Sequence, residues 1–142
     1  MGLIDLPSGN SLWRGMDYYE EKKVLSVKQT DKNIFKSEVI GSSHDPYQVT
    51  INIDYPRKSK CNCPFAEGRR VVCKHMVATY FTVFPEEAKR INYEAEEYEK
   101  EEELRYQEEY KEIEKYVNSL TKQELREQLM SYIIDESEKR YK

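Results

Sequence analysis

The pattern of apolar and polar positions changes character three times along the 142-residue chain. Between Val24 and Asp54 lie three short runs, VLSVKQ, NIFKSEVIG and YQVTINID, rich in Val, Ile, Phe and Tyr and separated by TDK and SSHDP. Such runs between turn residues predict strands. In the third, Tyr47, Val49, Ile51 and Ile53 share one face and Gln48, Thr50, Asn52 and Asp54 the other, the alternation of a half-buried strand in an antiparallel meander. Further on the period becomes helical. Met76, Val77, Tyr80, Phe81 and Phe84 make a short apolar stripe. From Glu86 onward there is no Pro and no Gly, and Tyr106, Tyr110, Ile113, Val117 and Leu120 recur at helical spacing with Glu and Lys opposite. TKQE at Thr121 to Glu124 has the spacing of a capping box and starts a second helix, with Leu125, Leu129, Tyr132 and Ile133 on its apolar face. A helix of low overall apolarity usually buries its stripe within its own chain, so the stripe from Tyr106 to Leu120 is expected to pack on the second helix or on the sheet. The fold class is therefore α+β, a small antiparallel sheet followed by helices.

Charge divides the chain at the same place as periodicity. Residues 1–85 carry a net charge of +3 and residues 86–142 a net of −7, which the overall pI of 5.4 conceals. We read two regions, 1–85 and 86–142. Only 38% of residues are hydrophobic and 35% are charged, so the core is small, and a core of this size often needs a staple such as a metal. No run approaches the length of an apolar membrane span. MGLIDLPSGNSLW at the start lacks the basic residues and apolar stretch of a secretory signal. The expected location is the cytoplasm, where disulfides are rare, and an odd cysteine count argues against a disulfide framework.

All three cysteines fall in KCNCPFAEGRRVVCKH, with one of the two histidines. Alternate residues of an extended chain point the same way, so Cys61 and Cys63 aim two thiolates at one point from a strand end. Pro64 holds Cys63 extended and closes the strand. Cys73 and His75 are also two apart; on one helix they would point about 200° apart. Cys73 should therefore precede the helix, with His75 in its first turn. Two pairs of such ligands joined by nine residues fit one tetrahedral Zn²⁺ with a Cys₃His shell, and thiolates disfavour Mg²⁺ or Ca²⁺. The shell carries a formal charge of −1, which Arg69, Arg70 and Lys74 are placed to offset.

Cys-x-Cys, nine residues, then Cys-x-His resembles the SWIM zinc finger. CNCP at 61–64 and CKHMVA at 73–78 look like the family's surroundings of each ligand pair. RGMDYY at 14–19, Val24 and VIGSSHDPYQVTI at 39–51 resemble the sheet-bearing region that leads into it. The resemblance covers roughly residues 12–84. It implies a ββα finger resting on a small sheet, a structural zinc ion, and binding to DNA or to other proteins. The family occurs in Swi/Snf-type ATPases, transposases, a signalling kinase and recombination proteins. This chain carries no phosphate-binding Gly-Lys-Ser/Thr loop, and the acidic helices lie outside the resemblance.

Two functions follow. The first is nucleic-acid (DNA) binding, in which Arg57, Lys58, Lys60, Arg69, Arg70 and Lys74 contact phosphates and Tyr47, Tyr55 or Phe65 stacks on bases. The second is a protein-interaction adaptor working through the finger and the C-terminal helices. It draws on the 12 tyrosines, a residue type favoured at interfaces, and a homodimer through those helices belongs to the same reading. An enzyme is not expected: a catalytic zinc keeps an open position, the His-x-Glu and Pro-Cys-x-x-Cys of zinc deaminases are missing, and His44 sits alone in a turn.

Overall fold

The computed structural model describes residues 2–142. It divides into two compact units, Met1–Tyr93 and Glu94–Lys142. In the first, helix α1 (Gly9–Glu20) precedes strands β1 (Val24–Asp31), β2 (Ile34–Val39), β3 (Tyr47–Asn52) and β4 (Lys60–Cys61), followed by helix α2 (Lys74–Val83). The four strands form one antiparallel sheet in the order β1-β2-β3-β4. The three predicted strands are present, and the fourth is the two-residue extension that carries the first cysteine. The alternation read in β3 is real: Tyr47, Val49 and Ile51 are buried, while Gln48 is exposed and Thr50 partly so.

Helix α1 was not legible as a helix. Ser8 caps it, its hydroxyl accepting the Ser11 N–H at 3.2 Å, but Gly9 and Gly15 dilute the helical signal. Gly15 is there for contact. A Cβ at this position would overlap the side chain of Val77 in α2 and come within 2.9 Å of the Lys74 carbonyl. The absence of a side chain lets α1 cross α2 closely. Helix α2 is thus held between α1 and the sheet, with His75, Met76, Val77, Ala78, Thr79 and Phe81 all buried. The ββα finger implied by the resemblance is built into the core of the unit.

Helix α3 runs unbroken from Pro85 to Ser119, and α4 from Lys122 to Arg140. Pro85 opens α3, with Glu86 and Glu87 in its first turn, where the helix dipole favours acids. Ala88 and Ile91 pack on the core of the first unit. The capping box of α4 is present: the Thr121 hydroxyl accepts the Glu124 N–H at 3.2 Å and Glu124 accepts the Thr121 N–H at 3.1 Å. The expected burial of the stripe is not observed. Within the second unit Tyr106, Tyr110, Ile113, Val117, Leu125, Leu129, Tyr132 and Ile133 are all exposed. Along α4, Met130 and Ile134 add apolar surface about 100° further round, so no single contact face could cover it. Among the described residues no helix is long and apolar enough to cross a membrane.

Candidate metal centre

Each ligand is placed by a different local device. Pairing of Cys61 with Val49 turns its side chain to the buried side of the sheet. Cys63 starts a tight turn, its carbonyl accepting the N–H groups of Ala66 at 3.1 Å and Glu67 at 2.9 Å. Gly68, at φ 72, lets that turn reverse. Cys73 is the extended N-cap of α2 and His75 lies in the helix's first turn, the arrangement that the spacing required.

The four side chains meet. Their ligand atoms all lie within 4.8 Å of one another, and all four residues are buried. His75 turns Nδ1 towards the sulfurs, 3.7 Å from Cys61 Sγ and 3.8 Å from Cys73 Sγ. With Zn–S near 2.3 Å and Zn–N near 2.0 Å, a tetrahedron has S···N edges of about 3.6 Å, so the donor set fits one zinc ion bound through Nδ1. Nε2 is buried without a hydrogen-bond partner. The ring is held by Tyr47 at 4.7 Å and, edge-on, by Tyr18 at 5.4 Å between centroids. Gly41 completes the wall: a Cβ there would overlap the Tyr47 ring and lie 3.1 Å from Nε2.

The sulfurs share their protons unequally. Cys73 is drawn down to about 4, first by the hydrogen bond from Cys61, then by His75 and the Met76 N–H at the start of α2, against the cost of burial. Cys61 is pushed up by that same hydrogen bond and by burial. Cys63 is pushed up by burial and then by the charge on Cys73. Without a metal the cluster favours the charge on Cys73 over those on Cys61 and Cys63, because negative charges so close together oppose one another in a buried site. No disulfide links them.

Five of the six cations picked out from the sequence line one groove. Arg57, Lys58, Lys60, Arg69 and Arg70 surround a cleft of about 1200 Å³ floored by Gln48, Thr50, Cys61 and Asn62. Asp54 and Glu67 are the acids in its wall, so the lining carries a net +3. Lys74 is elsewhere, its Nζ 4.9 Å above the Tyr18 ring. Of the three candidate stacking residues, Tyr47 is buried against His75 and is not available. Tyr55 and Phe65 are 62% and 49% exposed. Sequence reasoning missed Asn62, whose side chain accepts the Gln48 N–H at 2.9 Å and fixes β4 to the groove floor; a polar residue between two ligands was the available signal.

A strand end, a tight turn and a helix N-terminus converging on three cysteines and a histidine define a small zinc-binding module. The family model of the SWIM zinc finger matches residues 47–84, the segment from β3 to the end of α2. No curated protein and no solved structure matches the chain.

Proposed function

We propose that this protein binds nucleic acid, DNA in the first instance, through the basic groove beside its zinc finger, with zinc as a structural ion. The carrying observation is the state of the groove's cations. Among the described residues, none of Arg57, Lys58, Lys60, Arg69 and Arg70 forms an ion pair, although all five are exposed and gathered round one cleft with Asp54 and Glu67. Unneutralised cations gathered along one cleft suit a polyanion, whose counterions they would release. The volume, above the roughly 300–1,000 Å³ of small-molecule sites, suits a polymer better than a metabolite.

The reading is of a binding protein and not an enzyme. Four protein donors would fill a tetrahedral shell and leave no open position for a substrate. Buried free thiols suit a reducing compartment, so we place the protein in the cytoplasm. The test is fluorescence anisotropy of the zinc-loaded chain with labelled DNA over a salt series, beside Arg69→Ala/Arg70→Ala. We expect micromolar binding that weakens with salt and a log–log slope shallower by about 1.5 in the variant. Absence of binding at low salt would refute the reading.

A second reading, a protein-interaction role, is favoured by the exposed apolar residues of the second unit, and we assign their occupant as a second copy of the chain. The exposed Tyr, Ile, Leu, Met and Val side chains on α3 and α4 are the residue types that an interface between copies would bury. The backs of these helices are acidic, with net charge −7 over residues 94–142, so a contact between two copies of this unit would run through the apolar residues. Sedimentation should show a dimer that Ile113→Glu/Ile133→Glu converts to monomer; a monomeric parent protein refutes it.

A further inference from the structure

Building on the nucleic-acid reading, we infer that the groove takes an unpaired polynucleotide strand and discriminates against the duplex. The surface lacks a helix face suited to a duplex. Zinc fingers of the ββα kind read duplex DNA by laying their helix in the major groove. Here that helix, α2, is wedged between α1 and the sheet with six of its ten residues buried. The exposed side of α1 carries Arg14 with Asp17 and Glu20, and Glu21, Lys22 and Lys23 follow it, so it gathers no excess of cations. The second unit is acidic. Among the described residues no helix offers the basic face that a major groove accepts.

The groove has features suited to a single strand. The basic surface is concave; exposed Tyr55 lines its wall, exposed Phe65 adjoins it beside the lining residue Arg69, and each ring is coupled to a cation. Lys58 Nζ lies 4.7 Å from the Tyr55 ring centroid. The Arg69 guanidinium lies 5.0 Å from the Phe65 ring, and Arg69 Nη1 also donates to the Phe65 carbonyl at 3.1 Å. Both rings stand on short, internally bonded turns. The Tyr55 N–H donates to Asn52 Oδ1 at 2.9 Å, its carbonyl accepts the Lys58 N–H at 2.8 Å, and Pro56 follows. Each turn therefore presents, ready-ordered, a ring for a base and a cation for the neighbouring phosphate. A base can use such a ring only if it is unstacked, which is the situation of a single strand. In a duplex the base faces are covered and the two rings would have no role.

Stacking does not distinguish DNA from RNA, so the test carries both. Anisotropy of the zinc-loaded full chain is measured at low salt with oligo-dT, oligo-rU and a blunt DNA duplex of equal length. Tyr55→Ala/Phe65→Ala and Tyr55→Phe/Phe65→Tyr are run beside the parent. Both rings are exposed, so neither variant threatens the fold. We expect at least tenfold tighter binding to one or both single strands than to the duplex. The alanine variant should lose on the order of tenfold or more in single-strand affinity, while the aromatic swap keeps it. The dT and rU arms then name the sugar preferred. Equal or tighter binding to the duplex, or single-strand binding indifferent to the alanines, overturns this inference and leaves the groove reading standing. No binding to any of the three at low salt defeats both.

Discussion

Ser37, in the middle of β2, and Thr79, in the middle of α2, share a buried hydrogen bond of 2.6 Å. The Thr79 hydroxyl donates to the His75 carbonyl at 2.9 Å, so Ser37 is the donor to Thr79. The chain Ser37 to Thr79 to His75 ties the sheet to the turn of helix that carries the histidine. Thr79→Val keeps the shape and removes the acceptor, leaving a buried hydroxyl unpartnered, and should cost about 1–3 kcal/mol in urea unfolding of the zinc-loaded protein. Adding Ser37→Ala removes both partners and should restore part of the loss. A double variant whose loss equals the sum of the two singles would mean the hydroxyls act independently.

Gly41 bears on the metal through Tyr47. Its missing Cβ is the space into which the Tyr47 ring fits, and that ring packs on His75. Tyr47 is further held by a 3.2 Å hydrogen bond between its hydroxyl and that of Ser42. Gly41→Ala should displace the ring and free the imidazole to turn. We expect zinc affinity to fall on the order of 10–100-fold, the usual effect of losing a ligand's orienting neighbour. Competition against a chromophoric chelator measures it. Unchanged affinity would mean that Tyr47 is not what aims His75.

Much of this was legible because the physics was local. Cys61 and Cys63 point together because strands alternate, and Cys73 and His75 converge only if a helix begins between them; both constraints are contained in the spacing. The strands and the Thr121 capping box were likewise readable from neighbouring residues. What escaped depended on partners far away in sequence. Gly15 looks like a helix breaker until Val77 is seen against it. Tyr47 falls on the apolar face of its strand, but that its ring packs on His75 is seen only in the fold. The cations of residues 57–60 and 69–70 read as two scattered clusters because nothing in the sequence tells that two turns face each other across the end of β3. The expected burial of the Tyr106 stripe failed for a different reason. That argument supposes a partner within the same chain, and α4 brings surplus apolar surface of its own.

Zinc affinity should rise steeply with pH. Cys61 and Cys63 are both held above the ordinary thiol value, so near neutrality each enters the site protonated and must lose its proton to become a ligand. Cys73, near 4, is already a thiolate. Binding then releases about two protons from the sulfurs, and affinity should increase roughly a hundredfold per pH unit over the neutral range. Chelator competition at several pH values gives the slope, and calorimetry in buffers of different ionisation heat counts the protons. A flat profile would mean that the cysteines are already ionised without metal.

Removal of zinc should loosen one segment and spare another. Between Cys63 and Cys73 the backbone bonds are short-range, closing from Ala66 and Glu67 onto Cys63 and from Arg69 onto Ala66. The turn has no ladder to a neighbouring strand, and it is anchored at its ends by ligands. In contrast, α4 and the part of α3 beyond Glu94 satisfy their backbone groups within each helix. Chelation should therefore accelerate amide exchange over residues 57–84, where site formation and folding are linked. Exchange over 94–140 should stay as it was. Because the basic groove is framed by the same turns, its affinity for polyanions should fall with the loss of zinc and return on adding it back. If 57–84 stayed protected after complete chelation, packing of α2 between α1 and the sheet would suffice to hold the finger, and the ion would need a role other than a structural one.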